Sequence, residues 1–527
     1  MRALHDIKLN LANQAETFVT TNFRGLWKTV ERFPRVHRRV NAALINRAIL
    51  KIPTRPNPLS TLADYTSWAS LTDRTYDSRH LPPAEASPGN LPEPEAVAGL
   101  FNRPGEMTPC EKSTVLFPYF AEWFVDGFLR SERPHPDPDT GEPVRNPARN
   151  ESNHEIDLMQ IYGLTDAVTG QLRAYEDGLL QSQMIDGEEY PPYLYEGDRK
   201  KFDNVTVVRA EQITADQRRQ LFAFGSDTGN LQIGFVMMGV LFLREHNRIA
   251  RSLQREYPGW SDERLFQTTR NVLTVILIKI VVEDYINHIA PYHLKLLADP
   301  TGFRNPRWYR TNWMPIEFNL LYRWHSLVPS SFRIGGQDVA IKDTLFNTDK
   351  VVELGLGACF EDASNQRAGR VGLLNSPPEV WDAELTSVRQ ARAVALRPYG
   401  EYRSLARFPR ATRFEDISND RRVQQHLHDL YGKVEQVEFY PGLFAEDVRP
   451  NAALPPLIGR LVAIDAFSQA FTNPLLSPRV FNPQTFSPLG WDLIRTTGSL
   501  SDLLHRNIPD TGRRYDVTMT RRGWVRT

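Results

Sequence analysis

Hydrophobic and polar positions recur with a helical period along much of this chain. Apolar side chains return every three or four residues in five long segments, and this spacing predicts buried or amphipathic α-helices. The segments are residues 113–130, 214–222, 230–255, 261–297 and 316–326. Strict two-residue alternation is rare, and the stretch FRIGGQDVAI (332–341) is the clearest candidate for small strands. The pattern therefore predicts a mainly α fold.

Proline-rich and polar stretches divide the chain. Residues 52–111 are rich in proline and poor in periodicity, which predicts an irregular connector lying on the body of the protein. Residues 131–155 form a second polar, turn-rich loop. We therefore predict three parts: an N-terminal segment, 1–51, the connector, 52–111, and the main body, 112–527.

The N-terminal segment is basic and amphipathic. Residues 1–51 contain ten Lys or Arg and three Asp or Glu, and Phe18, Phe23, Leu26 and Trp27 recur at helical spacing. Short basic helices with aromatic residues on one face suit a membrane surface. The same pattern also fits surface helices that pack on the main body, and the pattern alone favours neither.

Composition narrows the function classes. The 527 residues have zero formal net charge and 41% hydrophobic content, typical of a soluble globular protein and giving no sign of a nucleic-acid partner. Cys110 and Cys359 are too few for a disulfide framework or a zinc ribbon. No secretory signal is visible, and the apolar runs 234–243 and 271–282 are too short to span a bilayer. We predict a cytoplasmic protein, with peripheral membrane attachment left open.

The stretch YRWH, residues 322–325, carries the most concentrated chemistry. On a helix Tyr322 and His325 would share one face, because they are three residues apart. A neutral imidazole can ligate haem iron, and a phenol beside an oxidising centre can become a radical. Satisfied core residues are the alternative. His246, within LREHNRIA, is predicted to belong to a buried structural network instead.

Several long motifs resemble one family. FNLLYRWHSLVPSSF resembles the proximal haem helix of prostaglandin-endoperoxide synthases (cyclooxygenases), and its YRWHS form is similar to the dioxygenase domain of fungal linoleate diol synthases. Other matching stretches follow in the family's order: LREHNRIARSLQREYPGWSDERLFQTTR, IKIVVEDYINHIAPYHLKL, DLYGKVEQVEFYPGLFAED and NPLLSPRVFNPQTFSPLGWDLI. The resemblance implies a peroxidase–cyclooxygenase superfamily fold, mainly α, with haem between a proximal and a distal helix in residues 112–527.

The resemblance also implies roles for individual residues. His325 matches the proximal iron ligand, and Tyr322 matches the tyrosine whose radical abstracts hydrogen from a fatty acid. Tyr285 matches the tyrosine that hydrogen-bonds that radical site. Tyr292 matches one of two residues that receive the substrate carboxylate. Arg47 is our candidate for the other, one residue out of register.

Further positions follow from the same resemblance. Trp324 and Arg323 flank the cofactor, with Arg323 near a haem propionate. Ile286 and Ala466 are predicted to contact substrate, and Ala466 aligns near the serine that aspirin acetylates in cyclooxygenases. The resemblance also strengthens the interpretation of residues 1–51 as membrane-binding helices.

The distal side departs from the family. Where the family has a Gln and, four residues on, a His, this chain has Glu122 and Asp126. A distal His moves the peroxide proton, and a carboxylate could replace it if burial raised its pKa. We predict that Asp126 takes this role, with Glu122 on the same helix face. The alternative is a surface or capping Asp126 on a helix shifted in register.

Three functions remain open at this point. The first is a haem-dependent fatty-acid dioxygenase that uses O2 and a tyrosyl radical to form a lipid hydroperoxide. The second is a peroxidase that reduces hydroperoxides, and the third is a non-catalytic haem or lipid binder. Residues that ester-bond haem in mammalian peroxidases are unmatched, so haem b should be non-covalent. A homodimer is a further prediction.

Overall fold

A computed structural model describes residues 18–51, 59–84, 91–137, 140–303, 306–309, 311–510 and 512–527. The predicted segment 1–51 and connector 52–111 each lie partly outside these residues. The helices are α1 (Arg24–Glu31), α2 (Pro34–Ile49), α3 (Trp68–Thr72), α4 (Pro94–Gly99), α5 (Leu116–Asp126), α6 (Met159–Tyr162), α7 (Asp166–Leu172), α8 (Ala215–Gln220), α9 (Ile233–Glu256), α10 (Asp262–Ile280), α11 (Asn287–Ile289), α12 (Ile316–Leu321), α13 (Asp349–Leu354), α14 (Leu356–Asn365), α15 (Trp381–Ala393), α16 (Tyr399–Leu405), α17 (Arg421–Tyr431), α18 (Phe439–Ala445), α19 (Pro456–Thr472), α20 (Pro483–Thr496) and α21 (Leu500–Asn507). The mainly α prediction is confirmed.

The strands form two-stranded antiparallel pairs. They are β1 (Pro109–Thr114), β2 (His135–Pro136), β3 (Pro143–Val144), β4 (Gln183–Ile185), β5 (Glu188–Tyr190), β6 (Tyr195–Glu196), β7 (Arg199–Lys200), β8 (Ser331–Ile334), β9 (Gln337–Ala340) and β10 (Arg367–Gly369). The predicted strands in 332–341 are the β8–β9 hairpin, closed by Gly335 and Gly336, which both have positive φ. β1 pairs with β10 far along the chain, which no local pattern indicates.

The long helices α9 and α10 lie at the centre of one continuous hydrophobic core. The side chain of Gln232 accepts a hydrogen bond from the Gly234 amide and so begins α9, while the Ser261 hydroxyl caps α10. α10 packs against α20, and α9 packs against α5. Among the described residues, no helix combines the length and the apolar composition needed to cross a membrane.

Three helix predictions need correction. The segment 113–130 begins as strand β1, so its helix starts only at Leu116 and ends at Asp126. The segment 261–297 is α-helical to Ile280, continues as a π-helix over Val281–Ile286, and ends after α11. Tertiary packing explains both differences, because the apolar positions are buried whichever backbone carries them.

The third correction concerns the segment 316–326. α12 ends at Leu321, and Tyr322 has φ −99° and ψ 16°, outside the α-helical geometry. His325 begins a short 3₁₀ turn, His325–Leu327. The prediction that Tyr322 and His325 share one helix face is therefore wrong, although the two side chains still meet at one cavity.

Candidate functional site

A cavity of about 210 Å³ lies between α5 and the chain that follows α12. Its lining includes Pro118, Ala121, Glu122, Val125, Asp126, Leu129, Thr228, Leu231, Phe235, Asn319, Tyr322, Arg323, Trp324, His325, Leu327 and Val328. Six of the residues singled out in the sequence therefore line a single cavity. Its two walls come from segments about 200 residues apart in the chain, so only the tertiary structure joins them.

His325 presents its ring to this cavity. Nδ1 lies 3.1 Å from Oε1 of Glu384, a carboxylate on α15 that is 1% exposed. Since Nδ1 faces a protein acceptor, Nε2 is the nitrogen available to a metal. Within the described chain, no group of three His, Cys, Asp or Glu side chains could hold a bare ion. One imidazole in a cavity instead suits a cofactor that supplies the iron's other ligands.

Tyr322 lines the cavity, and Tyr285 interacts with it from the buried side. Neither phenol oxygen has a hydrogen bond of good geometry. Burial raises the pKa of both phenols, and the proximity of Tyr322 raises the pKa of Tyr285 further. Both side chains are therefore neutral donors at physiological pH. The ring of Trp324 stacks on that of Tyr322 with centroids 4.6 Å apart.

The π-helix gives Tyr285 its place. It widens the turn over Val281–Ile286, and π-helical turns often occur at functional sites. Tyr285 is fully buried and packs against Phe117, Phe120 and Phe124 of α5. The sequence indicated only a continuous helix here, because apolar spacing does not distinguish an α-helix from a local π-helical turn.

Glu122 projects into the cavity from α5. Gln232 donates a hydrogen bond to its Oε2 at 3.1 Å. Glu122 is exposed to the open cavity. Partial loss of hydration between the cavity walls, aided by the neighbouring Asp126, raises the pKa of Glu122, while His325 and Gln232 oppose that shift. His325 is thus close enough to act electrostatically on Glu122 from the opposite wall. This is the arrangement that the resemblance implied for a proximal and a distal side.

Asp126 is anchored by neighbouring side chains. Its Oδ2 accepts hydrogen bonds from the hydroxyls of Ser226 and Thr228, each at 2.7 Å, and from Arg130 at 2.9 Å. Arg130 also pairs with Asp227, and the two acidic partners raise its pKa against the effect of burial. Asp126 lines the cavity and is half-buried, so the alternative of a surface residue is wrong.

The remaining polar groups of the cavity wall fit a large, partly charged planar ligand. Arg323 donates to Asn319 at 2.8 Å, but its Nε has no partner. The indole N–H of Trp324 is also unpaired. Burial lowers the pKa of Arg323, and an anionic ligand group would relieve that cost. The cavity therefore offers one metal ligand, one guanidinium that has no ion pair with a described residue, and aromatic walls, which fit haem.

A second cavity, of about 90 Å³, lies beyond the π-helix. Its lining is mainly apolar and includes Ala48, Lys51, Ile286, Ile289, Ala290, Pro291, Tyr292, Leu296, Phe408, Arg449, Ala452, Leu454, Pro455, Pro456, Gly459, Arg460, Val462, Ala463 and Phe467. The predicted substrate residues Ile286 and Tyr292 are both present. Ala466 lies on α19, a helix that supplies part of the lining, but Ala466 itself does not line this cavity. Arg47 does not line it either.

Three cations that sequence reasoning missed line this second cavity. They are Lys51, Arg449 and Arg460, and the two guanidinium groups pack on the ring of Phe408 at 5.5 and 4.6 Å. Burial lowers the pKa of Arg449, and its electrostatic partners include Tyr292. Of the three cations, only Lys51 lies close in sequence to Arg47, the predicted carboxylate-binding residue. The sequence could therefore have suggested Lys51, but not Arg449 or Arg460.

His246 lies in a buried hydrogen-bond network, as the sequence predicted. His246 contacts the Tyr162 hydroxyl at 2.7 Å and the Gly178 carbonyl at 2.9 Å, and burial lowers its pKa to about 4. His288 contacts Ser113 and Thr520. Both imidazoles are satisfied within the core and lie outside both cavities.

Known proteins give an independent comparison. The sequence model of the animal haem peroxidase family matches residues 118–518. Prostaglandin G/H synthase 2 of Equus caballus is 32% identical over 518 residues, covering 95% of this chain and 82% of the horse protein.

Two solved structures share the fold. Peroxidase A from Dictyostelium discoideum has a TM-score of 0.67 at 18% identity, covering 85% of this chain and 96% of its own. The fatty acid alpha-dioxygenase of Arabidopsis thaliana has a TM-score of 0.67 at 17% identity, covering 84% and 80%. With a family match over most of its length, the chain belongs to the animal haem peroxidase family and is an oxidoreductase.

Proposed function

We propose that this protein is a haem-dependent fatty-acid dioxygenase that forms a lipid hydroperoxide through a radical on Tyr322. One observation carries the proposal: the Tyr322 phenol stands in the wall of the His325 cavity and interacts with Tyr285, whose neighbour Ile286 lines the second, apolar cavity. The prostaglandin synthase relative and the alpha-dioxygenase fold neighbour support the same class of reaction.

His325, Arg323 and Trp324 are the residues that would hold the cofactor. Nε2 of His325 would ligate the iron, and the guanidinium of Arg323, which has no ion pair with a described residue, would meet a propionate. Haem b, bound without a covalent link, would supply the oxidising equivalents for removing one electron from Tyr322.

Tyr322 would perform the chemistry on the substrate. After losing one electron and its phenolic proton, it would take a hydrogen atom from a C–H bond of the acyl chain. O2 would then add to the carbon radical, and the peroxyl radical would take a hydrogen atom back from the Tyr322 hydroxyl, giving the hydroperoxide and regenerating the Tyr322 radical for the next turnover. The buried Tyr285 would hold the Tyr322 oxygen in position throughout.

The second cavity would hold the fatty acid. Its apolar lining suits an acyl chain, and Tyr292 with Lys51 and Arg449 would receive the carboxylate through charge-assisted hydrogen bonds. Arg47 was the sequence candidate for this role, and its absence from the lining favours the other cations.

The geometry favours Glu122 over Asp126 as the group that moves the peroxide proton. Asp126 already accepts hydrogen bonds from three side chains, whereas Glu122 accepts one and projects into the cavity. Its raised pKa suits acid–base work better than that of a free carboxylate. Asp126 would instead hold α5 against the loop that contains Ser226 and Thr228.

We also propose that α1 and α2 attach the protein to a membrane surface. Trp27 and Ile45 face the body, while other apolar side chains of the same region are exposed. These are Phe18, Phe23, Leu26, Phe33 and Val36. Exposed basic residues surround them, which suits anionic lipid. Because α2 leads to Ala48 and Lys51, substrate could pass from lipid into the second cavity.

Tyr322→Phe tests the radical mechanism. We expect O2 uptake with unsaturated fatty acids to be lost while the haem absorption spectrum is unchanged, because the substitution removes only the oxidisable hydroxyl. Tyr162→Phe, a buried tyrosine outside both cavities, should keep O2 uptake. Undiminished uptake in Tyr322→Phe would end the proposal.

Peroxide reduction is the second candidate function. It is favoured by Glu122, which faces His325 across the cavity, and by the fold shared with Peroxidase A. Peroxide-dependent dye oxidation by wild type, with no O2 uptake on any fatty acid tried, would select this function instead.

A further inference from the structure

A buried carboxylate stands directly behind the proposed iron ligand. Glu384 lies on α15, and its Oε1 is 3.1 Å from Nδ1 of His325. Nδ1 forms no hydrogen bond of good geometry with any described group, and Oε1 of Glu384 is a hydrogen-bond acceptor within 3.1 Å of it. Among the described residues, Glu384 accepts hydrogen bonds from two neutral hydroxyls and lies beside this imidazole, and no Arg or Lys forms an ion pair with it.

Two hydroxyls fix the carboxylate in this orientation. Ser376 donates to Oε1 at 2.7 Å, and Tyr440 donates to Oε2 at 2.6 Å. Ser376 and Tyr440 are both fully buried, and the Tyr440 ring stacks on Phe101 with centroids 5.0 Å apart. Glu384 is thus an acceptor toward both hydroxyls. A second lone pair of Oε1 remains for an N–H donor, and His325 supplies the nearest one.

We infer that Glu384 is a positioning residue: it accepts a hydrogen bond from Nδ1–H of His325, fixes the tautomer that turns Nε2 to the cavity, and makes the imidazole a more electron-donating ligand. The inference rests on the proposed binding of haem iron by His325. Acceptors behind a ligating imidazole generally raise its basicity and tune the metal. Here the consequence is a lower Fe(III)/Fe(II) reduction potential than a neutral neighbour would give.

Ser376 and Tyr440 set how strongly Glu384 acts. Each donated hydrogen bond withdraws charge from the carboxylate, so removing one should leave more negative charge beside His325. Neutralising Glu384 and removing one of its donors should therefore shift the potential in opposite directions. A role confined to packing would not produce this change of sign.

The test measures the reduction potential of the haem-reconstituted full chain without substrate. In Glu384→Gln we expect the ratio of reduced to oxidised haem at a fixed potential to rise at least about ten-fold, which is 59 mV for a one-electron couple. The iron–histidine stretching band of the ferrous protein should move to lower frequency. In Tyr440→Phe both signals should move the other way.

Glu446→Gln is the matched control. Glu446 is also buried and accepts a tyrosine hydroxyl, from Tyr399 at 2.6 Å, but it does not contact His325. Its potential should equal that of wild type. If Glu384→Gln does not fold, Tyr440→Phe and Ser376→Ala still carry the test.

Unchanged potentials and bands in the haem-loaded variants would overturn the inference. Because no fatty acid is present, these outcomes are distinct from a failure of the dioxygenase proposal, which O2 uptake reports. If the wild-type protein binds no haem, both this inference and the dioxygenase proposal fail.

Discussion

At the scale of single residues, the hydrogen-bond partners of two carboxylates distinguish the roles proposed for them at the cavity. Glu122 and Asp126 are four residues apart on α5 and both reach the cavity. The sequence favoured Asp126, because it stands at the family's histidine position. Its hydroxyl partners, Ser226 and Thr228, lie about 100 residues further along the chain, so their contacts were invisible in the local sequence, whereas Arg130 follows only four residues after Asp126.

Glu122→Gln should lower the rate of peroxide-dependent oxidation by about 10²–10⁴-fold, the usual contribution of a general acid–base group. Wild type should lose activity as the pH falls through the pKa of Glu122, which partial loss of hydration raises above 4.5, because the base is then protonated. This acid limb should disappear in Glu122→Gln. Stopped-flow measurements with hydrogen peroxide across pH provide the check.

Asp126→Asn is the comparison variant. It should keep most of the rate but unfold at a lower temperature, because it weakens the contacts with Arg130, Ser226 and Thr228. The opposite result, with Asp126→Asn inactive and Glu122→Gln active, would restore the assignment made from sequence.

The carboxylate end of the second cavity gives another residue-scale prediction. Arg449→Gln should raise KM for a free fatty acid by about 10-fold or more, since a charge-assisted hydrogen bond contributes about 1.5–3 kcal/mol. KM for the methyl ester, which has no carboxylate, should change little. Arg47→Gln serves as control, and an effect confined to that variant would favour the sequence candidate instead.

At the scale of secondary structure, close packing between helices positions the side chains of the candidate site. α5 carries Glu122 and lies against the start of α9, where Gly234 leaves room for the ring of Tyr119. The π-helix that follows α10 turns Tyr285 toward Tyr322. Apolar periodicity predicted that these helices exist, but not where α12 ends or where the π-helix begins.

Gly234→Ala should destabilise the fold by about 1–3 kcal/mol, the usual cost of overpacking a core. A Cβ at Gly234 would lie 2.5 Å from the Tyr119 ring, and the resulting shift of α5 should also reduce turnover. Thermal unfolding with a parallel activity assay measures both effects.

Gly400→Ala is the matched control, because a Cβ there meets no atom within 4 Å. It should be neutral or slightly stabilising, since alanine favours a helix over glycine. Equal stability of the two alanine variants would show that α5 tolerates the added methyl group.

At the scale of the whole molecule, the N-terminal helices have two apolar faces. One face is buried: Trp27 donates to the Val19 carbonyl at 2.9 Å, and His37 contacts the Lys295 carbonyl at 2.6 Å. The second face is exposed, with Phe18 and Phe33 each more than half accessible. Surface helices that only packed on the body would leave that second face unexplained, so the membrane interpretation gains support.

Replacing Phe18, Phe23, Leu26, Phe33 and Val36 by serine should weaken binding to anionic phospholipid vesicles by about ten-fold or more, because binding scales with buried apolar area. Vesicle flotation gives the measurement, and O2 uptake with detergent-dispersed substrate should persist. Met184→Ser, another exposed apolar side chain, should bind like wild type. Equal flotation of all three proteins would contradict membrane attachment.

The sequence by itself determined the helical class and the family, and it singled out His325 and Tyr322, which line one cavity. Apolar spacing reports burial along one element, and the family's motifs are continuous stretches of chain, so both are legible without coordinates. The same local information could not set the end of α12, which depends on tertiary packing around Tyr322.

Only the tertiary structure decided the rest of the site. Glu384 lies 59 residues after His325, on a helix whose buried face it shares with Val388 and Ala391. The spacing of Glu384 among apolar residues could indicate that its carboxylate is buried, but not which residue it contacts. Arg449 likewise reaches Tyr292 only through folding. Contacts between distant segments have no periodicity to report them, because loop closure and packing, and not local propensity, bring them together.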